Sequence, residues 1–394
     1  MSLFDDDFDD HELMDEAGEG APAAVATGSG LQPPRMMREI LGHDDAEAQI
    51  LGFINSGHLH HALILSGPEG IGKSTFAYRL ARYLLKHGVS DGADEGGGLF
   101  GAPLPKMRAE SLAVDPDDQV CRMVAAGGHP DLLTIEREFD EKKNRFKGNI
   151  SIESVRRIAP FMHMTASFNG WRVVIVDDAD TMTNEAQNAI LKVLEEPPSR
   201  TILLLVCHRP GLMISTIRSR TRLVHFQPLP FEVFSNLLRR IEPGLRDADL
   251  KTLYAITGGS AGQGIRLIEE GGLEVIYKAA GLLAQWPEWD WPQIHGLADN
   301  LSRPGQEDSY KSFVDVFTWA IESLVRARAR QTALPSPVDT PQMARMANHY
   351  SFEQWLDICG RLKTHFAASE YSSLDKRQAI LGAFSIFDEA RRAV

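Results

Sequence analysis

The sequence predicts an α/β phosphate-binding fold, a parallel sheet flanked by helices, followed by an all-helical C-terminal part. Three observations carry that expectation. Gly67-Pro68-Glu69-Gly70-Ile71-Gly72-Lys73-Ser74-Thr75 follows a short apolar run and leads into a segment where Phe76, Leu80, Tyr83 and Leu84 recur at helical spacing. Arg172-Val-Val-Ile-Val-Asp177 is a β-branched run ending in an acid, the pattern of a buried parallel strand that delivers a carboxylate to the sheet's C-terminal edge. After the tryptophan-rich stretch 286–292, apolar stripes at helical spacing run to the end of the chain.

Strand, glycine-rich turn, Lys-Ser and helix are the parts of a phosphate-binding loop. Glycines let the backbone curl so that several N–H groups point inward, and the helix start adds a partial positive charge. On this reading Gly67, Pro68, Glu69, Gly70, Ile71, Gly72, Lys73, Ser74 and Thr75 bind a nucleotide. Lys73 reaches the terminal phosphates, Ser74 holds Mg²⁺, and Asp177 reaches the same metal from the neighbouring strand. Asp178 follows directly. It either polarises an attacking water, one methylene shorter than the glutamate usual there, or caps the next turn.

With 394 residues the chain is long for one core. Its 43% apolar and 24% charged residues are those of a globular protein, and no apolar run approaches a membrane span. The N-terminus lacks a basic stretch followed by an apolar one, so a cytoplasmic location is expected. Of the formal net charge of −13, nine acids lie between Asp5 and Glu19, which leaves about −4 for the rest. Residues 1–34 therefore read as a disordered acidic tail. It is either a solubilising leader or, through Leu3, Phe4, Phe8, Leu13 and Met14, a segment able to dock on a basic or apolar groove. Cys121, Cys207 and Cys359 are too few for a disulfide framework or a four-cysteine zinc site.

Taken in order, 35–56 has a helical pattern with Ile40, Ala46, Ile50, Leu51 and Ile54 facing inward. The stretch 87–118 turns irregular and Gly/Asp-rich, as a variable insertion does. A strand is expected over 131–136, a helix over 151–162 capped by Ser151, a second helix over 183–198 stopped by paired prolines, and a strand over 201–206. Arg218, Arg220 and Arg222 share a face if their segment is extended and splay if it is a turn. Two or three helices over 228–273 make a small unit, and further helices are expected over 310–330, 341–349, 352–366 and 374–392. Trp286, Trp289 and Trp291 read as packing, since no basic residues interleave them.

Gly42-His43, His61-Ala62, the phosphate loop, the Asp177 segment, Leu194-Glu195-Glu196-Pro197-Pro198 and Ser219-Arg220 occur in this order at these spacings. Together they resemble the AAA+ clamp-loader ATPases of DNA replication, over about 35–273. The resemblance implies an AAA+ P-loop domain at 35–228, a helical lid at 229–275 and a helical, oligomerising collar at 276–394. It makes Gly67–Thr75 the Walker A loop and Asp177 the Walker B acid. Ser219-Arg220-Thr221 is similar to the family's Ser-Arg-Cys motif, which implies that Arg220 reaches across a subunit boundary to a neighbour's γ-phosphate; Arg218 and Arg222 read as a solvated face. The implied cofactors are ATP and Mg²⁺. The implied partners are the other clamp-loader subunits (gamma/tau and delta), the sliding clamp and primed DNA, with no membrane.

Departures from the family pattern refine this. Many relatives bind zinc through four cysteines; here only Cys121 stands in the corresponding region, and one thiolate makes no tetrahedral site, so no zinc is expected. The family's polar residue at the end of the next strand falls on Cys207 or His208, where His208 is either a phosphate or water contact or a hydrogen-bonded structural histidine. The Gly-Ser-x-Arg segment that puts an arginine on the phosphates becomes Gly259-Ser260-Ala261-Gly262. That loss, with Asp178 for glutamate, implies ATP binding with weak or absent turnover. The alternatives are a gamma/tau-like motor ATPase or a metabolic P-loop kinase.

Overall fold

A computed structural model describes residues 32–88, 108–140, 145–167, 170–371 and 375–392. The expected tail, apart from its last residues, and most of the expected insertion lie outside the described residues.

Five strands form one parallel sheet: β1 (Ala62–Ser66), β2 (Leu132–Ile135), β3 (Arg172–Val176), β4 (Thr201–Cys207) and β5 (Arg222–His225), in the order β2-β3-β4-β1-β5. The three central strands are buried on both faces, which is why they read as unbroken apolar runs rather than as alternation. Their side chains still alternate. Leu63, Leu65, Val173, Ile175 and Leu204 pack on one side with Ile50, Phe76, Leu80 and Leu84. Ile64, Val174, Val176, Leu203 and Leu205 pack on the other with Val155, Ile158, Ala186 and Ile190.

The flanking helices depart from the expected bounds for local reasons. The first runs Asp44–Asn55 rather than from residue 35, with only a 3₁₀ turn at Pro34–Met36 before it. Residues 151–162 give two short helices, Ile152–Arg156 and Ile158–His163. Pro160 lacks the N–H that would bond Arg156 O and crowds that carbonyl, so the helix cannot run through. Ser151 does cap the first piece, accepting from Ser154 N. Similarly, 183–198 folds as Asn184–Ala189 and Leu191–Glu195, capped by Thr183. A helix at Gln119–Ala126 was not anticipated.

Beyond β5, where two or three helices were expected, come Phe231–Ile241, Asp247–Thr257 and Ala261–Glu269, called the lid below. Helices at Gly272–Leu283, Trp291–Leu301, Glu307–Arg330, Pro341–His349, Phe352–Tyr371 and Lys376–Arg392 complete the chain. Lid residues Phe234, Leu238, Leu253 and Ile265 belong to the same apolar cluster as Phe313, Phe317, Trp355 and Phe384. Trp289 is buried in that cluster and donates Nε1–H to Asp388, so it serves packing as expected.

The lid meets the sheet domain backbone to backbone. Gly262 N donates to Gly70 O at 2.8 Å and Ser260 Oγ donates to Glu69 O at 2.7 Å. A Cβ on Gly262 would lie 2.8 Å from Gly70 O and 2.9 Å from Gly70 Cα, and Gly70 itself holds φ +74°. With the lid so placed, no side chain fits at 262. Gly262→Ala is expected to lower the urea-unfolding midpoint, an overpacking cost of about 1–3 kcal/mol. Gly128→Ala, where a Cβ meets nothing within 4 Å, is the control that should leave the midpoint unchanged.

Candidate nucleotide site

Register assembles the site. Ser66 of β1 pairs with Cys207 of β4, Val176 of β3 pairs with Leu205, and Ile135 of β2 pairs with Val176. The strands therefore end almost level, and the first residues past each end lie side by side: the loop from Gly67, Asp177-Asp178, His208 and Arg137. Ligands collect at this carboxyl edge of an open parallel sheet.

The loop helix begins at Lys73 (Lys73–His87), so its free N–H groups face the turn. Lys73 is almost fully buried, and its ammonium donates to Pro68 O and, at 2.8 Å, to His208 Nδ1. Burial lowers the Lys73 ammonium to about 8, against the opposing pull of Asp177 and Asp178. Ser74 Oγ donates to Asp177 Oδ1 at 2.8 Å. Burial, with Asp178 adjacent, raises the Asp177 carboxyl to about 6. A buried carboxylate pressed against a hydroxyl fits a divalent ion that also takes oxygens from phosphate and water. Ser74 and Asp177 would hold Mg²⁺ here, and the loop N–H groups and Lys73 would hold phosphate. Among the described residues, no cluster of three or more His, Cys, Asp or Glu forms a metal site by itself.

Asp178 does not cap the next turn. Its side chain makes no cap hydrogen bond, and its backbone sits in the left-handed region at φ 56°. The carboxylate instead accepts from His208 Nε2 at 2.6 Å and pairs with the Arg137 guanidinium at 2.9 Å. Burial pushes this carboxyl up, yet the bonds from His208 and Arg137 prevail and hold it below its ordinary value.

Several contributors escaped the sequence reading. Arg137 is legible only once the pairing of β2 with β3 is known. His43 is buried, and its Nε2–H donates to Ile71 O, so the Gly42-His43 dipeptide braces the loop from behind. Asp180 accepts the backbone N–H groups of His208 and Arg209 at 3.0 and 3.1 Å, holding the chain as it leaves β4. Arg266, one turn beyond Gly262 on the lid helix, lines the cleft together with Glu69, Gly70, Ser74, Asp177, Asp178, His208, Gly262 and Gln263. The place of the motif arginine is sterically closed by Gly70, and Arg266 reaches the cleft rim paired with Glu69 at 3.8 Å and Glu270 at 3.9 Å.

Arg220 lies elsewhere. It follows the short helix Ser215–Arg218, its guanidinium paired with Glu195 at 3.0 Å and about a third exposed. Arg218 is exposed and Arg222 lies over the Phe53 ring, so the three arginines splay, as a turn requires.

A parallel sheet with this loop, an acid at the end of β3 and helices packed over the cleft defines a P-loop fold of the AAA+ kind. A family profile described as "DNA polymerase III, delta subunit" matches residues 107–230. The chain is 28% identical over 316 residues to the DNA polymerase III delta' subunit of Escherichia coli, spanning 79% of this chain and 84% of that one. It is 34% identical over 214 residues to the delta' subunit of Pseudomonas aeruginosa, spanning 52% and 57%. A replication factor C small subunit of Pyrobaculum aerophilum is 26% identical over 262 residues, 64% and 67% of the two chains. These relatives are clamp-loader subunits, and the chain is similar to them over the matched spans. Among the described residues no helix is long and apolar enough to cross a membrane.

Asp180→Ala leaves two strand-end N–H groups without their acceptor. The expected cost is about 1.5–3 kcal/mol in unfolding free energy, the range for a hydrogen bond to a charged group. A chemical denaturation curve checks it.

Proposed function

We propose that the chain acts as a delta'-like clamp-loader subunit: it binds ATP weakly or statically and supplies Arg220 to ATP held by a neighbouring subunit. The observation that carries this reading is the placement of Arg220. The guanidinium lies outside the chain's own cleft, at an exposed turn, where the Glu195 pair holds it ready rather than buries it. A fixed guanidinium at a seam between subunits stabilises charge on a transferring phosphoryl group.

Slow turnover in the chain's own site is supported by Asp178. The one side chain placed to polarise water has both oxygens taken, by His208 and Arg137. The cleft is also small, about 240 Å³ with the lid seated, below the roughly 300–1,000 Å³ usual for ligand pockets. Lys73 and the loop N–H groups would bind phosphates, Ser74 and Asp177 would orient the metal, and Arg266 and the lid would close over both. ATP with Mg²⁺, when bound, supplies the ligand that links lid position to the loop. Gly262 at the place of the motif arginine points the same way, toward slow turnover, since Arg266 on the next turn is already paired with Glu69 and Glu270.

The partners on this reading are the gamma/tau and delta subunits, with the sliding clamp and primed DNA handled by the whole assembly in the cytoplasm. Reconstitution with those subunits tests it. Arg220→Ala should reduce hydrolysis at the seam it serves by about 10²-fold or more, while fluorescent-ATP binding to the isolated variant stays at the wild-type level. Equal ATPase in mutant and wild-type assemblies would remove Arg220 from the trans role. Separately, Lys73→Ala should abolish nucleotide binding by the isolated chain; brisk Lys73-dependent hydrolysis by the wild-type chain alone would instead mark a motor subunit.

A further inference from the structure

The imidazole of His208 is doubly committed. Nδ1 accepts from the Lys73 ammonium at 2.8 Å and Nε2–H donates to Asp178 Oδ1 at 2.6 Å. These two bonds require one neutral tautomer, with the proton on Nε2, because an ammonium can only donate and an ionised carboxylate only accept. The ring is held there from both sides. Asp180 pins its backbone N–H, and Arg137 pins the far oxygen of Asp178. The result is a cross-link between the residue that would grip phosphate and the one that would position water.

We propose that His208 is a latch on the nucleotide site: it occupies Lys73 in place of phosphate, so that nucleotide binds only by breaking the Lys73–His208 bond. The inference rests on the reading of Lys73 as a phosphate ligand and adds to it a cause for low affinity. A hydrogen bond from a charged donor contributes about 1.5–3 kcal/mol, so its loss on binding weakens affinity by roughly one to two orders of magnitude. The latch also predicts the sign of a mutation. A histidine that contacts phosphate helps binding, and its removal weakens affinity. A histidine that competes with phosphate does the reverse.

The test is titration of the full chain with a fluorescent ATP analogue and Mg²⁺, for wild type, His208→Ala, His208→Phe, and each combined with Lys73→Ala. His208→Phe keeps a ring of similar bulk while deleting both nitrogens, which guards against an effect of mere cavity formation. Both single variants should bind about tenfold more tightly than wild type, and the gain should vanish in the Lys73→Ala background. Nitrogen NMR of the histidine rings supplies a readout that a packing role would not move. The resonances lost in His208→Phe should show the Nε2–H tautomer in the free protein, and the Nδ1 signal should shift when the analogue is added. Weaker or unchanged binding by the His208 variants, with Lys73→Ala still abolishing binding in wild type, overturns the latch and leaves the nucleotide site intact. Absence of binding in wild type and in every His208 variant overturns the nucleotide site itself, and the latch with it.

Discussion

Four strands ending level with one another are the constraint on which the chemistry of this chain depends. In a parallel sheet a shift of register would carry Asp177, His208 and Arg137 away from the loop and turn alternate side chains to the wrong face. Here Ser66 opposite Cys207 and Val176 opposite Leu205 bring a buried ammonium, two carboxylates, an imidazole and a guanidinium to one edge. Burial makes the arrangement consequential. It presses Lys73 toward neutrality and Asp177 toward protonation, so these groups gain from an anion and a cation placed between them.

The lid completes this edge in a way tied to bare backbone. Glycine at 70 and at 262 lets two backbone segments touch through a hydrogen bond, and Ser260 fastens the same corner. Close approach there excludes a side chain from the position where the family carries its arginine. Arg266 then lies over the cleft because the helix brings it round one turn later.

Much of this was legible before any coordinates. The phosphate loop, the acid after β3, the cap at Ser151 and the packed role of Trp289 all follow from local rules of composition and spacing. What was not legible depended on strands meeting. Arg137 sits in an unremarkable Glu-Arg-Glu stretch and gains its role only from the pairing of β2 with β3. His208 was read as a contact or a structural residue, and it proves to bridge two site residues 135 and 30 positions away in the chain. The broken helices near residues 157 and 190 show the opposite failing: periodicity alone runs on where Pro160 or a tight turn interrupts the backbone.

The apolar interior shared by the lid and the helices after it has a mechanical consequence. Phe234 and Ile265 are packed in one body with Phe317 and Phe384, so the lid cannot swing by itself without tearing open its own support. Widening the cleft therefore means tilting that entire body against the sheet, about the exposed Gln227-Pro228 link where the chain leaves β5. What happens around a few phosphate-sized spaces is thereby geared to the far end of the molecule, as a short arm drives a long one.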